Sequence, residues 1–349
     1  MAAVLLFPVQ AQAVSAEKGI VLDALTGQIL WERRADERSL IASTTKIMTA
    51  HLICRECNVL ERVKIPREAV GIEGSSMYLR EGEILTVQEL LWGLMLRSGN
   101  DAAAALAIYC GGSIEGFARK MNAEAVRLGL TGSHFVNPHG LDDPDHYSTA
   151  RDLAVLTAEA MKNPVFAGTV STKTARVGER VLTNHNKLLW CLPGADGVKT
   201  GYTKAAGRLL VSSAMRNGRR LICVTVNAPD DWNDHRELLE AAFGRYRETR
   251  IVTKGQPIGT LAVPNGEIPE TELLAAADFD FPLAEDETVS FRLPELEFRF
   301  APVYQGEPAG TAGVYLGETE LGRIPLVIGR DSEPIKEQRK PLWRRIFGG

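Results

Sequence analysis

Ala42-Ser43-Thr44-Thr45-Lys46-Ile47-Met48 is the stretch on which the reading of this chain turns. Ser43 and Lys46 are three apart, which on a helix puts both side chains on one face, a turn apart. The residues that follow, Ile47, Met48, Ala50, Leu52, Ile53 and Cys54, are apolar on nearly every side, the pattern of a helix buried within a domain. A hydroxyl and an amine therefore meet at the start of a buried helix. A serine hydroxyl becomes a nucleophile when a neighbouring base takes its proton. A lysine can be that base once burial and a second cation disfavour its ammonium form. The free N–H groups of a helix start add a site for developing negative charge. Taken alone, the four-residue pattern is common and usually a helix cap.

Working outward, residues 19–23 and 28–31 flank a turn at 24–27 and read as a β-hairpin. A helical run over 86–95 carries Val87, Leu90, Leu91 and Leu94, and Thr86 with Glu89 forms a capping box. It ends at Arg97-Ser98-Gly99-Asn100, after which Asp101 is expected to cap an alanine-rich helix to Ile108. Further amphipathic helices are expected over 113–128 and 149–161. Between them, 137–147 is too rich in Pro, Gly and Asp for a helix. Residues 197–203 read as a strand. Runs 208–215 and 220–227 read as strands joined through Asn217-Gly218, a strong hairpin signal. A helix over 234–246 follows.

Near residue 250 the composition changes. Strand-like runs at 258–263, 288–293, 311–315 and 321–327 alternate with Pro and Gly, and long helices vanish. This is a small all-β domain with no nucleophile, phosphate loop or metal cluster, suited to a spacer or docking role.

Three chemical elements stand in order: Ser43-Thr-Thr-Lys46, Ser98-Gly-Asn100 and Lys199-Thr-Gly201. This triple pattern is that of penicillin-binding proteins and class A β-lactamases. The chain further resembles the D-alanyl-D-alanine carboxypeptidase family of low-molecular-weight penicillin-binding proteins through residues 75–82, 96–102, 137–141, 146–153 and 184–186. The resemblance implies an α+β fold: a β-lactamase/transpeptidase-like domain, its antiparallel sheet flanked by helices, followed by the all-β domain.

It also implies roles. Ser43 attacks the D-Ala–D-Ala carbonyl of a peptidoglycan pentapeptide stem and forms an acyl-enzyme, also with penicillin. Lys46 is its base, Ser98 relays a proton to the leaving amine, and Asn100 contacts the substrate amide. Lys199 and Thr200 bind the terminal carboxylate, and Lys199 helps keep Lys46 neutral. The N–H groups of Ser43 and Tyr202 form the oxyanion hole, and Gly201 allows close backbone approach. No cofactor or metal is implied. The chemistry agrees, since a substrate ending in a carboxylate calls for a cation on a rigid strand. The alternatives are a D,D-endopeptidase on cross-links, a class A β-lactamase using Glu159, and an inactive peptidoglycan-binding relative. His139 and His146 could form a dyad, but loop-pinning is the expected role because a lysine already supplies the base.

The expected organisation is a signal-peptide remnant over 1–16, with cleavage patterns ending at Ala13 or Ala16, a peptidase domain over 17–250, the all-β domain over 251–330 and a basic amphipathic tail over 331–349. The tail places Leu342, Trp343, Ile346 and Phe347 on one side with Lys340, Arg344 and Arg345 near them, the pattern of an interfacial helix. The expected location is extracytoplasmic, on the outer face of the bacterial membrane or secreted. A net charge of −4 argues against a nucleic-acid partner, and no apolar run reaches the ~20 residues of a membrane span. Of the five cysteines, Cys54, Cys57, Cys110, Cys191 and Cys223, the odd number argues against a disulfide scaffold. His51, Cys54 and Cys57 have a faintly metal-like spacing, although buried thiols acting as small apolar residues are the expected reading.

Overall fold

A computed structural model describes residues 14–294 and 298–336. The chain divides into two compact units, 1–245 and 246–349. The first begins with strands β1 (Lys18–Asp23) and β2 (Ile29–Arg33), then a short 3-10 turn (Ala42–Thr45) that runs into helix α1 (Lys46–Glu56). A two-strand ladder, β3 (Arg62–Lys64) with β4 (Ile84–Thr86), precedes α2 (Val87–Leu96), α3 (Asn100–Gly111), α4 (Ile114–Arg127), α5 (Ala150–Ala160) and α6 (Pro164–Ser171). A hairpin of β5 (Thr174–Val177) and β6 (Arg180–Thr183) and one turn of helix, α7 (Leu188–Cys191), lead to β7 (Ala195–Thr203), β8 (Gly207–Arg216), β9 (Arg219–Val226) and α8 (Asp231–Phe243).

The central sheet is antiparallel, in the order β2-β1-β9-β8-β7, so the first and last strands of the unit meet in its middle. Its strands alternate between two faces. Ile20, Leu22, Val211, Ile222, Val224 and Val226 join the helical core, while α8 packs on β8 and β9. On that side His235 lies 2.6 Å from Ser212 Oγ on β8 and 2.9 Å from Thr225 Oγ1 on β9. The α1 helix packs against α2, α3, α4, α5 and α6, which is why its sequence is apolar all round. The Thr86–Glu89 capping box forms as expected, worth about 1 kcal/mol to α2. The β8–β9 turn places Asn217 and Gly218 both at positive φ, +48° and +84°, the geometry that Asn-Gly favours.

Several expectations change. Gly99, not Asp101, occupies the N-cap of α3. The Asp101 carboxylate turns to the 76–79 loop, accepting from Ser76 Oγ at 2.6 Å, Met77 N at 3.1 Å and Leu79 N at 3.0 Å. The β5–β6 hairpin and α6 had no period long enough to announce them. Val14 and Ala16, within the expected leader remnant, are buried, and Ser15 bonds Asp234 through both N and Oγ at 2.8 and 2.7 Å.

The second unit is all β. It contains β10 (Arg247–Val252), β11 (Pro257–Ala262), β12 (Glu270–Ala275), β13 (Phe279–Leu283), β14 (Val289–Arg292), β15 (Pro308–Leu316) and β16 (Thr319–Ile328). Its main sheet runs β11-β12-β16-β15-β14, and β10 pairs with β13. Leu261, Val263, Leu273, Val303, Leu326 and Ile328 fill its core. Residues 337–349, with the whole apolar side of the expected tail, lie outside the described residues, as do residues 1–13.

Candidate active site

Ser43 sits in the 3-10 turn and Lys46 opens α1, so the expected one-turn spacing is made across the junction of two helix types. The preceding Ala42 has φ +45°, a left-handed conformation costly for a residue with a Cβ, and it turns the chain sharply before the nucleophile. Lys46 is wholly buried. Its Nζ lies 2.9 Å from Ser43 Oγ, 2.7 Å from Asn100 Oδ1 and 2.5 Å from the His139 carbonyl oxygen. Burial first, then the charge of Lys199, holds its pKa well below the usual lysine value, with Asp101 opposing.

The His139 carbonyl reaches Lys46 because Gly140 has no side chain. At φ +87°, a Cβ there would lie 1.8 Å from the Ala42 carbonyl oxygen. His146 braces the same turn. Its Nδ1 accepts from Val136 N–H at 3.1 Å, leaving Nε2–H to donate to Thr45 Oγ1 at 2.7 Å, which in turn donates to Ala42 O at 2.9 Å. Burial pushes the His146 imidazole down to about 4 and that of His139 down to about 3, so both are neutral near neutral pH. The two histidines pin the 137–147 loop and do not form a dyad with the serine.

Ser98, at φ +60°, follows the C-cap of α2 and lines the same cleft as Ser43. Asn100 is bonded within the protein at both ends of its amide: its Oδ1 holds Lys46, and one N–H of its Nδ2 donates to Glu73 O at 2.5 Å, which leaves a second N–H. On β7, Thr200, Gly201 and Tyr202 line the cleft, whereas Lys199 is buried and donates to Thr200 O at 2.8 Å. Burial lowers the Lys199 pKa to about 7. A Cβ on Gly201 would come within 3.2 Å of Thr44 Cγ2, so the glycine lets β7 lie close to the nucleophile turn.

The cleft has a volume of about 590 Å³. The D-alanyl-D-alanine carboxypeptidase family model matches residues 6–230. The chain belongs to this family. Residues 246–334 match the C-terminal domain of penicillin-binding protein 5. The chain is 32% identical to D-alanyl-D-alanine carboxypeptidase DacF of Bacillus subtilis, covering 91% of this chain and 86% of that one. It is 34% identical to DacC of Escherichia coli, over 93% and 86%. Among solved structures, D-alanyl-D-alanine carboxypeptidase DacD from Francisella tularensis superposes with TM-score 0.66 at 25% identity, covering 96% of this chain and 98% of that one. Penicillin-binding protein 5 from Haemophilus influenzae gives 0.67 at 28%, over 93% and 100%.

This carboxypeptidase is thus a serine-type hydrolase of D-Ala–D-Ala ends, from a family that typically binds penicillin. Its fold is the expected one, a mixed helix–sheet unit followed by an all-β unit. Sequence reasoning assigned no role to Asn184, His185, Lys187, Arg208, Asp231 and Trp232, which also line the cleft. Arg208 there grips Asp231 through both carboxylate oxygens, at 2.8 and 2.9 Å. Their only sequence signal was Asn184-His-Asn186, where Asn184 ties the strand to Val170 O and Thr172 O at 3.0 and 3.1 Å. Glu159, the residue a class A β-lactamase reading would use, sits on α5 bonded to Lys162 at 2.9 Å and away from the cleft lining. No cluster of metal-ligating side chains occurs among the described residues, and His51 bonds Glu124 at 2.7 Å.

Proposed function

We propose that the carboxypeptidase removes the terminal D-alanine of peptidoglycan pentapeptide stems through an acyl-enzyme on Ser43, with neutral Lys46 as its base. The observation that carries this is the set of partners around Lys46 Nζ. A neutral amine has two N–H donors and one lone pair. Asn100 Oδ1 and the His139 carbonyl take the two donors, which leaves the lone pair for the Ser43 O–H. That hydroxyl then donates to Nζ, and its oxygen is free to attack. Asn100 acts as a positioning residue, and Ser98 passes the proton on to the leaving amine.

Thr200 makes the direct contact with the substrate carboxylate, and Lys199 supplies positive charge from beneath. Because burial lowers the Lys199 pKa, arrival of a carboxylate favours its protonated form. The N–H groups of Ser43 and Tyr202 stabilise the tetrahedral oxyanion. β-Lactams occupy the same cleft.

The reading extends to location. An apolar leader cleaved after Ala13, not Ala16, suits the chain, because Val14 O and Ala16 O both accept from Arg33 Nη1 at 2.9 Å. The enzyme then works outside the cytoplasm, with peripheral membrane contact through Leu342, Trp343, Ile346 and Phe347.

The test is to incubate the purified chain with a pentapeptide muropeptide and weigh the products. Loss of one D-alanine supports the proposal. Cleavage of cross-linked dimers with the pentapeptide left intact points to an endopeptidase instead.

A further inference from the structure

The helices that meet at the active site also meet at their other ends. The α1 helix begins with Lys46 and α3 with Asn100, and those two side chains are bonded at 2.7 Å. The α1 helix ends at its C-cap Cys57, and Cys110 lies in the last turn of α3. The helices pack on each other, and Cys110 Sγ lies 3.8 Å from Oε2 of Glu56, the neighbour of Cys57. The two thiols are near enough that each shifts the other's ionisation, Cys57 upward and Cys110 downward. Both residues are half-buried, open enough for a small oxidant to reach.

We propose that Cys57 and Cys110 form an oxidisable dithiol, a modification site remote from the cleft, whose disulfide ties α1 to α3 at the ends opposite Lys46 and Asn100. The oxidant is a small or protein disulfide. The Cys110 thiolate attacks it, forming a mixed disulfide and expelling one thiolate, which takes up the proton Cys110 gave up. Cys57, losing its own proton, then attacks Cys110 Sγ and expels the second thiol. Two protein thiols are oxidised and one external disulfide is reduced to two thiols. Cys110 leads because the neighbouring Cys57 thiol, with the nearby Lys120 ammonium, holds its thiol below the usual cysteine value. Lys120 is itself fixed by Glu56 at 2.7 Å. Burial holds back two of the other cysteines, pushing Cys54 up to about 12 and Cys223 well above the usual value. Cys191 is exposed on a different helix, α7, with its Sγ donating to Lys187 O at 3.4 Å.

The test uses the full chain, reduced and then exposed to oxidised glutathione, with non-reducing peptide mapping by mass spectrometry. The expected product is a Cys57–Cys110 cross-linked peptide pair and a rise in Tm of the catalytic unit of roughly 5–15 °C. Cys57→Ser should trap glutathione on Cys110 and lose the rise, while its penicillin acylation rate stays at the parent's. A glutathione adduct that persists on Cys110 of the parent, or a cross-link through Cys54 or Cys191, overturns the proposal. If Cys57→Ser fails to fold, the parent's peptide map decides alone.

Discussion

The two units keep their polar groups in different places. The catalytic unit buries Lys46, Lys199, Asp101, Glu124, His146, His235 and the Asp23–Arg219 ion pair. In the second unit, among the described residues, the buried polar side chains are Thr271 and Ser332, each satisfied by a backbone carbonyl at 3.2 and 2.8 Å. Its ion pairs, such as Arg250–Asp278 and Arg292–Glu318, lie at the surface. Burying a charge costs several kcal/mol unless its surroundings are arranged for it. A unit that buries two lysines, both with lowered pKa values, suits the basic amine proposed above. A unit that avoids that cost is built to be stable, which suits a spacer.

The largest test of this contrast is at the amine itself. Ser43→Ala should abolish labelling by a fluorescent penicillin. Lys46→Arg should lower the acylation rate by about 10³-fold or more, since a guanidinium keeps its proton at working pH. A Lys46→Arg rate near the parent's would remove the lysine from the role of base.

Next comes Lys199. Its charge lowers the Lys46 pKa, so Lys199→Gln lets that pKa rise and moves the acid limb of the acylation profile to higher pH. We expect kcat/KM for the pentapeptide to fall by about 10²-fold as the carboxylate loses its cation. An unmoved acid limb would mean that burial alone tunes Lys46.

Gly140→Ala probes the packing that brings His139 to the amine. At φ +87° and against the Ala42 carbonyl, a methyl has no room. A loss of about 3 kcal/mol or more in the unfolding free energy of the catalytic unit is expected from denaturant titration.

Acid should separate the two units. All six histidines lie in the catalytic unit. Burial holds His146 near 4 and His235 near 3, below their unfolded value, so protons bind the unfolded chain first. Their stabilising effect is whole above about pH 6.5 and is lost as pH falls towards those values, by about 1.4 kcal/mol per pH unit for each. Between pH 7 and 5, calorimetry should show the catalytic transition falling by roughly 10 °C while the second unit's moves little. Parallel shifts would erase the distinction.

The smallest effects belong to the β unit. A chain of residues 14–245 should be acylated within about twofold of the parent's rate, because every group around Lys46 comes from that span. Glu318→Gln, which removes the surface partner of Arg292, should change stability by less than about 0.5 kcal/mol.

What could be read in the sequence was whatever a residue type announces. Serine with lysine one turn on, Lys-Thr-Gly on a strand, Asn-Gly in a turn and Thr-x-x-Glu at a helix start each carry chemistry or geometry in the side chain. What could not be read was done by backbone or by absence. The third partner of Lys46 Nζ is a carbonyl, which any residue at 139 would bring. Gly140 matters for the atom it lacks. Asp101 looked like a cap because aspartates often cap, and only the fold shows the 76–79 loop waiting for its carboxylate. The further lining residues of the cleft come from the 184–187 segment, β8 and α8, separated in the chain, so Arg208 and Asp231 gave no local sign of meeting.

The segment 137–147 shows how far composition and behaviour can part. Its prolines, glycine and aspartates mark it as a surface turn. Yet its carbonyl at 139 is bonded to the buried amine, and Asn137 Oδ1 accepts the Gly140 amide at 2.7 Å. In deuterated water the Gly140 amide should therefore keep its proton as long as the strands of the central sheet do, exchanging only when the whole catalytic unit opens. By the clock of hydrogen exchange, this loop is part of the core.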